Sequence, residues 1–263
     1  MIKILALGDL VGRPGRDILV ERLPALLSST GATFVVLNAE NAAGGSGLTP
    51  EIASALFAAG VDCLTTGDHV FKRKEIVPVL ETDQRVLRPA NFPPEASGKG
   101  VTVLADRNGK RVGVINLLGR VFINRPVDCP FRVVDELLSR LIDETDAVIV
   151  DMHAEATSEK LAMGWYLDGR VSGVVGTHTH VATADERVLP GGTAYITDLG
   201  MTGPHDSILG RDKDRVLRAL TTGMPAHFDV AEGDRRINGV LITVNPETGL
   251  ATDIQRVSVG DND

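Results

Sequence analysis

The chain has 263 residues, 43% of them apolar, and a formal net charge of −8. That length suits one large α/β domain spanning 1–263, and that apolar content excludes wholesale disorder. The negative balance counts against a protein that grips long nucleic acid through its phosphates; small phosphorylated substrates stay open, because bound metal ions can supply positive charge locally.

Ile2–Leu7 is a continuous apolar run that reads as a buried strand, too short for a signal peptide or a membrane span. Asp17–Leu27 has helical spacing, and Phe34–Leu37 reads as the next strand. Thr49 followed by Pro50 marks a helix start. A third strand is expected at Asp62–Thr66 and a helix near Lys74–Leu80. Strands alternating with helices imply right-handed crossovers and a parallel sheet. Gly100–Ala105 and Arg111–Leu117 flank Asn108-Gly109, a strong hairpin signal. The alternation resumes with a helix at Val133–Glu144, a strand at Ala147–Val150, a helix at Glu159–Leu167 and a strand at Val171–Val175. Val188 and Tyr195 border a Pro190-Gly191-Gly192 turn, and Gly239–Val244 is set to pair with Asp253–Val257. The expected fold is α/β, with mixed sheets wrapped by helices. Cys63 and Cys129 are far apart and in no metal-binding or redox spacing; buried Cys63 reads as an inert thiol, consistent with a cytoplasmic protein.

The polar residues fall at the strand ends. Asp9 follows the first strand, Glu40 and Asn41 the second, Asp68 and His69 the third, His153 the strand at Ala147–Val150, and His178 and His180 the strand at Val171–Val175. In a parallel sheet the loops after strand C-termini converge on one edge. Five strands therefore deliver carboxylates, amides and imidazoles, donors suited to Mn²⁺, Fe²⁺ and Zn²⁺, to one place. Singly, each is ordinary: a Gly-Asp is a common turn, and a lone His near an apolar strand is commonly a satisfied core residue. An extended His178-Thr179-His180 segment would point both rings to one side. The ordered set favours metal over coincidence. Gly44–Gly47 lacks a phosphate-loop ending and reads as a flexible loop beside the site. Arg13 and Arg16, at a helix start near Asp9, are equally a phosphate contact or solvated surface. Glu155, Ser158 and Lys160 lie next to His153 with no role assigned, and His205 and His227 read as surface or structural residues.

The stretches GDLVGRPGR (8–16), NAENAAGG (38–45), TTGDHVF (65–71), MHAEATSEK (152–160), GTHTHV (176–181) and ITDLGMTGP (196–204) resemble the calcineurin-like metallophosphoesterases, and within them the YmdB family of small bacterial phosphodiesterases. Val11 stands where the wider superfamily has the His of D-x-H, and Glu40 where it has a bridging aspartate; both departures are those of the YmdB branch. Gly67-Asp68-His69 departs from that branch too, whose usual motif is G-N-H. The resemblance implies a four-layer α/β/β/α sandwich and two divalent metal ions, iron or manganese foremost with zinc as the alternative. It implies Asp9, Glu40, Asn41 and His180 on one ion, Glu40, Asp68, His153 and His178 on the other, and His69 as the acid beside the leaving group. The implied substrates are small phosphodiesters such as 2′,3′-cyclic nucleotides.

The chemistry is coherent in its own right. Two divalent ions can clamp the attacking and leaving oxygens of an in-line displacement and acidify a bound water, while an unligated histidine protonates a poor leaving group. Two rival readings stay open: a phosphomonoesterase on nucleotides or phosphoproteins, and a non-catalytic regulator that binds protein or RNA. Self-association into a homo-oligomer is compatible with either.

Overall fold

The N-terminal apolar run forms β1 (Ile2–Leu7), which is buried on both faces because it lies inside a sheet with a layer on each side. The structure, a computed structural model, describes residues 1–141 and 143–261. After β1 come β2 (Asp9–Leu10), α1 (Gly12–Thr30), β3 (Phe34–Asn38), α2 (Pro50–Ala58), β4 (Cys63–Thr65), α3 (Val77–Thr82), β5 (Val101–Ala105) and β6 (Arg111–Leu118). The chain continues through α4 (Pro130–Leu141), β7 (Ala147–His153), α5 (Thr157–Tyr166), β8 (Gly173–Thr177), β9 (Arg187–Val188) and β10 (Ala194–Ile196). It ends with β11 (Met201–Pro204), α6 (Lys213–Thr222), β12 (Arg235–Val244) and β13 (Ala251–Gly260).

Among the described residues the strands form two mixed sheets. The first runs β2-β11-β12-β1-β3-β4, with β13 added on β12, and the second runs β5-β6-β7-β8-β10-β9. β1, β3 and β4 are parallel, as are β6, β7, β8 and β10, so each sheet gathers several strand C-termini at one edge.

Period-two side-chain alternation sorts the apolar residues into three cores. Leu5, Leu7, Val35 and Leu37 pack outward on α1 and α2 residues such as Ile18, Leu19, Leu23 and Leu56. Ile2, Ile4, Phe34, Val36 and Cys63 face Val112, Val114, Ile149 and Val175 across the gap between the sheets. Ile115, Leu117, Val148, Val150 and Met152 pack against Val134 and Leu141 of α4 and Met163 of α5. Three cores separate four layers, α/β/β/α, in agreement with the sandwich expected. Both faces of the central strands are buried, which explains why they read as unbroken apolar runs.

Local signals account for most boundaries. Thr49 caps α2 by accepting from the Ile52 amide, with Pro50 in the first turn. The Asn108-Gly109 hairpin pairs β5 with β6, and β12 pairs with β13 with Gly239 opposite Val257 and Thr243 opposite Asp253. The second expected hairpin forms too, with Val188 opposite Ala194 and Arg187 opposite Tyr195. The helix near Lys74–Leu80 divides into a 3₁₀ turn, Lys74–Ile76, and α3. The expected Val133–Glu144 helix starts three residues earlier, and its residue 142 lies outside the described residues. The short parallel pair β2–β11, Met201 opposite Asp9, has no period long enough to be read from sequence. Among the described residues no helix is long and apolar enough to cross a membrane.

Candidate metal centre

The same alternation that builds the core between the sheets puts polar residues at its end. On β3, Phe34 and Val36 are followed on the inner face by Asn38; on β7, Ala147 and Ile149 are followed by Asp151 and His153. Thr65 on β4 and Thr177 on β8 continue the pattern. All five are buried. His153 therefore closes a strand, three residues beyond the expected end of β7, and its backbone is fixed by the sheet.

Four ligand atoms, one each from Glu40, Asp68, His153 and His178, lie within 4.8 Å of one another. Nε2 of His153 is 3.3 Å from Oε1 of Glu40, 3.7 Å from Oδ1 of Asp68 and 3.0 Å from Nδ1 of His178. Beside this group Nε2 of His180 faces Oδ1 of Asn41 at 3.3 Å and Oδ1 of Asp9 at 3.9 Å. The carboxylates come from the first sheet and the imidazoles from the second, so the centre straddles both. Oδ1 of Asp9 and Oδ1 of Asp68 are buried without a hydrogen-bond partner. Such orphaned acceptors cost on the order of 1–3 kcal/mol each, and bound divalent cations would satisfy them. The donors fit such an ion.

Each of the three histidines has one nitrogen held by an acceptor, which fixes its tautomer. Thr177 donates its hydroxyl to Oδ1 of Asp151 at 2.7 Å, so at 2.8 Å it accepts from Nδ1–H of His153 and leaves the Nε2 lone pair facing the cluster. Nε2–H of His178 meets Oε2 of Glu155 at 3.1 Å, which frees Nδ1 for the cluster. Nδ1–H of His180 donates to the Leu209 carbonyl at 3.1 Å, which frees Nε2. Asn41 follows the same logic: its amide donates to the Gly45 carbonyl and turns Oδ1 inward.

Electrostatics agree. Burial pushes Asp9 up to about 6 against the pull of His180 and His153. Burial also opposes the charges on Glu40 and Asp68, but His153 and His69 outweigh it and hold both carboxyls below their ordinary range. Burial should lower His153, yet Glu40, Asp68 and Asp9 hold it well above its usual value. Burial and the neighbouring His153 drive His178 down to about 4. The carboxylates around Nε2 of His153 make its place in the cluster favourable for positive charge.

His69 stands apart from the convergent donors. Its Nδ1 lies 3.2 Å from the Asn41 amide nitrogen, which leaves Nε2 to carry the proton, 3.7 Å from Oδ2 of Asp68. Its backbone N–H donates to Oε2 of Glu40.

The eight residues singled out from the sequence are thus brought together at one edge. The His178-Thr179-His180 segment is not extended as expected: φ is +95° at His178 and +64° at His180. The turn sends the two rings to different ends of the cluster, His178 toward Asp68 and His180 toward Asn41. Each such backbone costs about 1–3 kcal/mol. Arg13 is exposed and pairs with Asp17, and Arg16 donates to the Ala42 carbonyl. The glycine-rich loop is pinned, with Arg73 donating to Ala43 and Arg211 to Gly44 and Gly45. His205 is a structural residue bonded to Gly203 and Asn238, and His227 is exposed beside Asp229.

Several contributors escaped sequence reasoning. Thr177 and Asp151 orient His153, and the clue was their shared parity on neighbouring inner faces. Glu155 had no periodicity to reveal it. Arg125 donates to the Asp68 carbonyl at 2.7 Å and brings a guanidinium to the rim. Gly67 is required by close approach, since a Cβ there would collide with the His153 ring and Oε2 of Glu40.

The profile of the family described as YmdB-like protein matches residues 5–257. The chain is similar to the 2′,3′-cyclic-nucleotide 2′-phosphodiesterase of Bacillus subtilis (strain 168), with 48% identity over 261 residues that cover 99% of this chain and 98% of that protein. A crystal structure of a hypothetical protein from Thermus thermophilus superposes with a TM-score of 0.91 at 39% identity, covering 98% of this chain and 99% of that one. The crystal structure of a novel phosphatase from Mycoplasma pneumoniae also gives 0.91, at 36% identity, covering 98% and 93%.

Proposed function

This chain belongs to the YmdB-like family, and from that membership we propose that it is a metal-dependent phosphodiesterase acting on small phosphodiesters, 2′,3′-cyclic nucleotides foremost. The observation that carries the proposal is the set of three histidines whose tautomers each leave a lone pair toward the buried carboxylates. Asp9, Glu40, Asn41 and His180 would hold one divalent ion, and Glu40, Asp68, His153 and His178 the other. Glu40 belongs to both sets and has two oxygens to offer. Such ions supply charge that offsets the phosphoryl oxygens and make water acidic enough to attack at neutral pH.

The chain's own residues do the rest. Thr177, Glu155 and Leu209 hold the imidazoles in register. His69, with its proton on Nε2 and its Nδ1 held by Asn41, protonates the departing ribose oxygen, a poor leaving group without a proton. Arg125, which donates to the Asp68 carbonyl beside the cluster, offers a guanidinium that matches the single negative charge of a diester. The relative from Bacillus subtilis is named for cyclic-nucleotide hydrolysis, which supports the same substrate class.

The test is a side-by-side assay of 2′,3′-cyclic AMP, 3′-AMP and 5′-AMP with added Mn²⁺. The cyclic diester is expected to show the highest kcat/KM, with turnover abolished by chelation. A strong preference for the monoesters would move the chain to the phosphatase reading.

A further inference from the structure

The mechanism leaves one buried charged pair without a task. Lys160 on α5 is wholly buried, and its ammonium donates to Oδ2 of Asp198 at 2.6 Å, with both side chains about 1% exposed. The lysine stem reaches Asp198 by crossing β8 at Gly176, where a Cβ would come 2.7 Å from Cδ of Lys160. A buried ion pair is weak evidence for stability, since desolvation offsets most of the attraction. Its other contacts show where it acts. Oδ2 of Asp198 also accepts from the Thr179 hydroxyl at 2.7 Å and the Thr179 amide at 3.2 Å, and Oδ1 accepts from the Gly200 amide at 2.8 Å. Thr179 stands between His178 and His180, the two histidines with left-handed backbones.

We propose that Lys160 and Asp198 are positioning residues that hold Thr179, and through it the strained His178–His180 turn, in the one conformation that sends one ring to each end of the metal cluster. The inference rests on the metal reading above. Both ends of the turn are held independently: the His178 amide donates to Oδ2 of Asp9 at 3.0 Å, and Nδ1 of His180 donates to Leu209. Between them Asp198 is the anchor, and the Lys160 ammonium holds its carboxylate in place inside the protein. Without that anchor the turn relaxes toward an ordinary backbone and the imidazoles lose their common geometry.

The experiment measures Mn²⁺ affinity and stoichiometry by calorimetry on the full chain, with metal-free melting as the control for folding. The double variant Lys160→Met/Asp198→Asn removes both charges and leaves none unpaired. It is expected to fold and to bind Mn²⁺ roughly 10- to 100-fold more weakly than wild type, with little change in metal-free melting. Thr179→Val keeps the ion pair, removes the shorter bond to Asp198, and is expected to weaken Mn²⁺ binding several-fold. It carries the test if the double variant does not fold. Wild-type Mn²⁺ affinity in Thr179→Val overturns the proposal, as does a folded double variant that binds as tightly as wild type or loses only metal-free stability. If the wild-type chain itself binds no Mn²⁺, the metal reading fails instead.

Discussion

Oε2 of Glu155 lies 3.1 Å from Nε2 of His178, while Nδ1 of the same ring is 3.7 Å from Oδ1 of Asp68. The ring is thus held between an outer carboxylate and the cluster, the arrangement that orients a metal-bound imidazole and raises its basicity. Glu155→Ala is expected to weaken metal binding on the order of 10–100-fold. Glu155→Gln keeps an acceptor for Nε2–H and should fall between. Titration calorimetry with Mn²⁺ reads both, and equal affinity in all three proteins would show that the carboxylate does not orient the ring.

Glu40 offers one oxygen near His153 and another to the backbone of His69. Its loss strips a ligand from both proposed ions. Glu40→Ala should therefore lose both metals and nearly all turnover, and elemental analysis that still finds two tightly held ions would refute its place between them.

Gly67 tests geometry without altering any donor. A methyl group at this position would collide with the His153 ring and with Glu40, inside the cluster. Gly67→Ala should abolish metal binding while the far-UV circular dichroism stays that of the wild type. A variant that retains both would mean that the loop yields more than its packing implies.

His69 makes a prediction about leaving groups. His69→Ala is expected to keep its metals yet slow hydrolysis of a cyclic nucleotide by about 10²–10⁴-fold. An activated aryl diester, which leaves without a proton, should be slowed much less. Equal slowing of both substrates would count against the acid role.

Because the cluster takes carboxylates from one sheet and imidazoles from the other, metal binding should stabilise the whole sandwich. At free Mn²⁺ near 100 times its dissociation constant the gain is about 2.7 kcal/mol for each ion bound, each worth roughly 5–10 °C in Tm for a chain of this size. Calorimetric scans with and without chelator measure it, and coincident curves would contradict a site shared between the sheets.

Much of this arrangement is visible in the sequence because strand ends announce themselves. Val35–Leu37 followed by Glu40-Asn41, and Val174–Val175 followed by His178, put apolar runs directly before donors, and parallel pairing does the rest. What stayed hidden depends on relations between distant segments. Asp151 lies just past the expected strand end at Val150, and only the fold brings Thr65 from the facing sheet and Thr177 from the neighbouring β8 to donate to it. Backbone handedness at His178 and His180 is likewise invisible, since nothing local to H-T-H demands φ above zero; the demand comes from Asp198, eighteen residues downstream of His180. The β2–β11 pair escaped for a different reason, two residues being too few to carry a pattern.

The position of β1 between β12 and β3 sets the order in which the protein can be completed. β1 waits for a strand made much later: until residues 235–244 have left the ribosome, β1 has an open edge, and an open apolar edge is a template for wrong partners. Asp9, paired beside Met201, likewise gains a neighbour from a distant later segment, residues 201–204. On the proposed function, metal loading is then expected to come late in the biogenesis of this chain, and fragments that stop short of β12 are expected to lack a working centre and to expose an apolar edge.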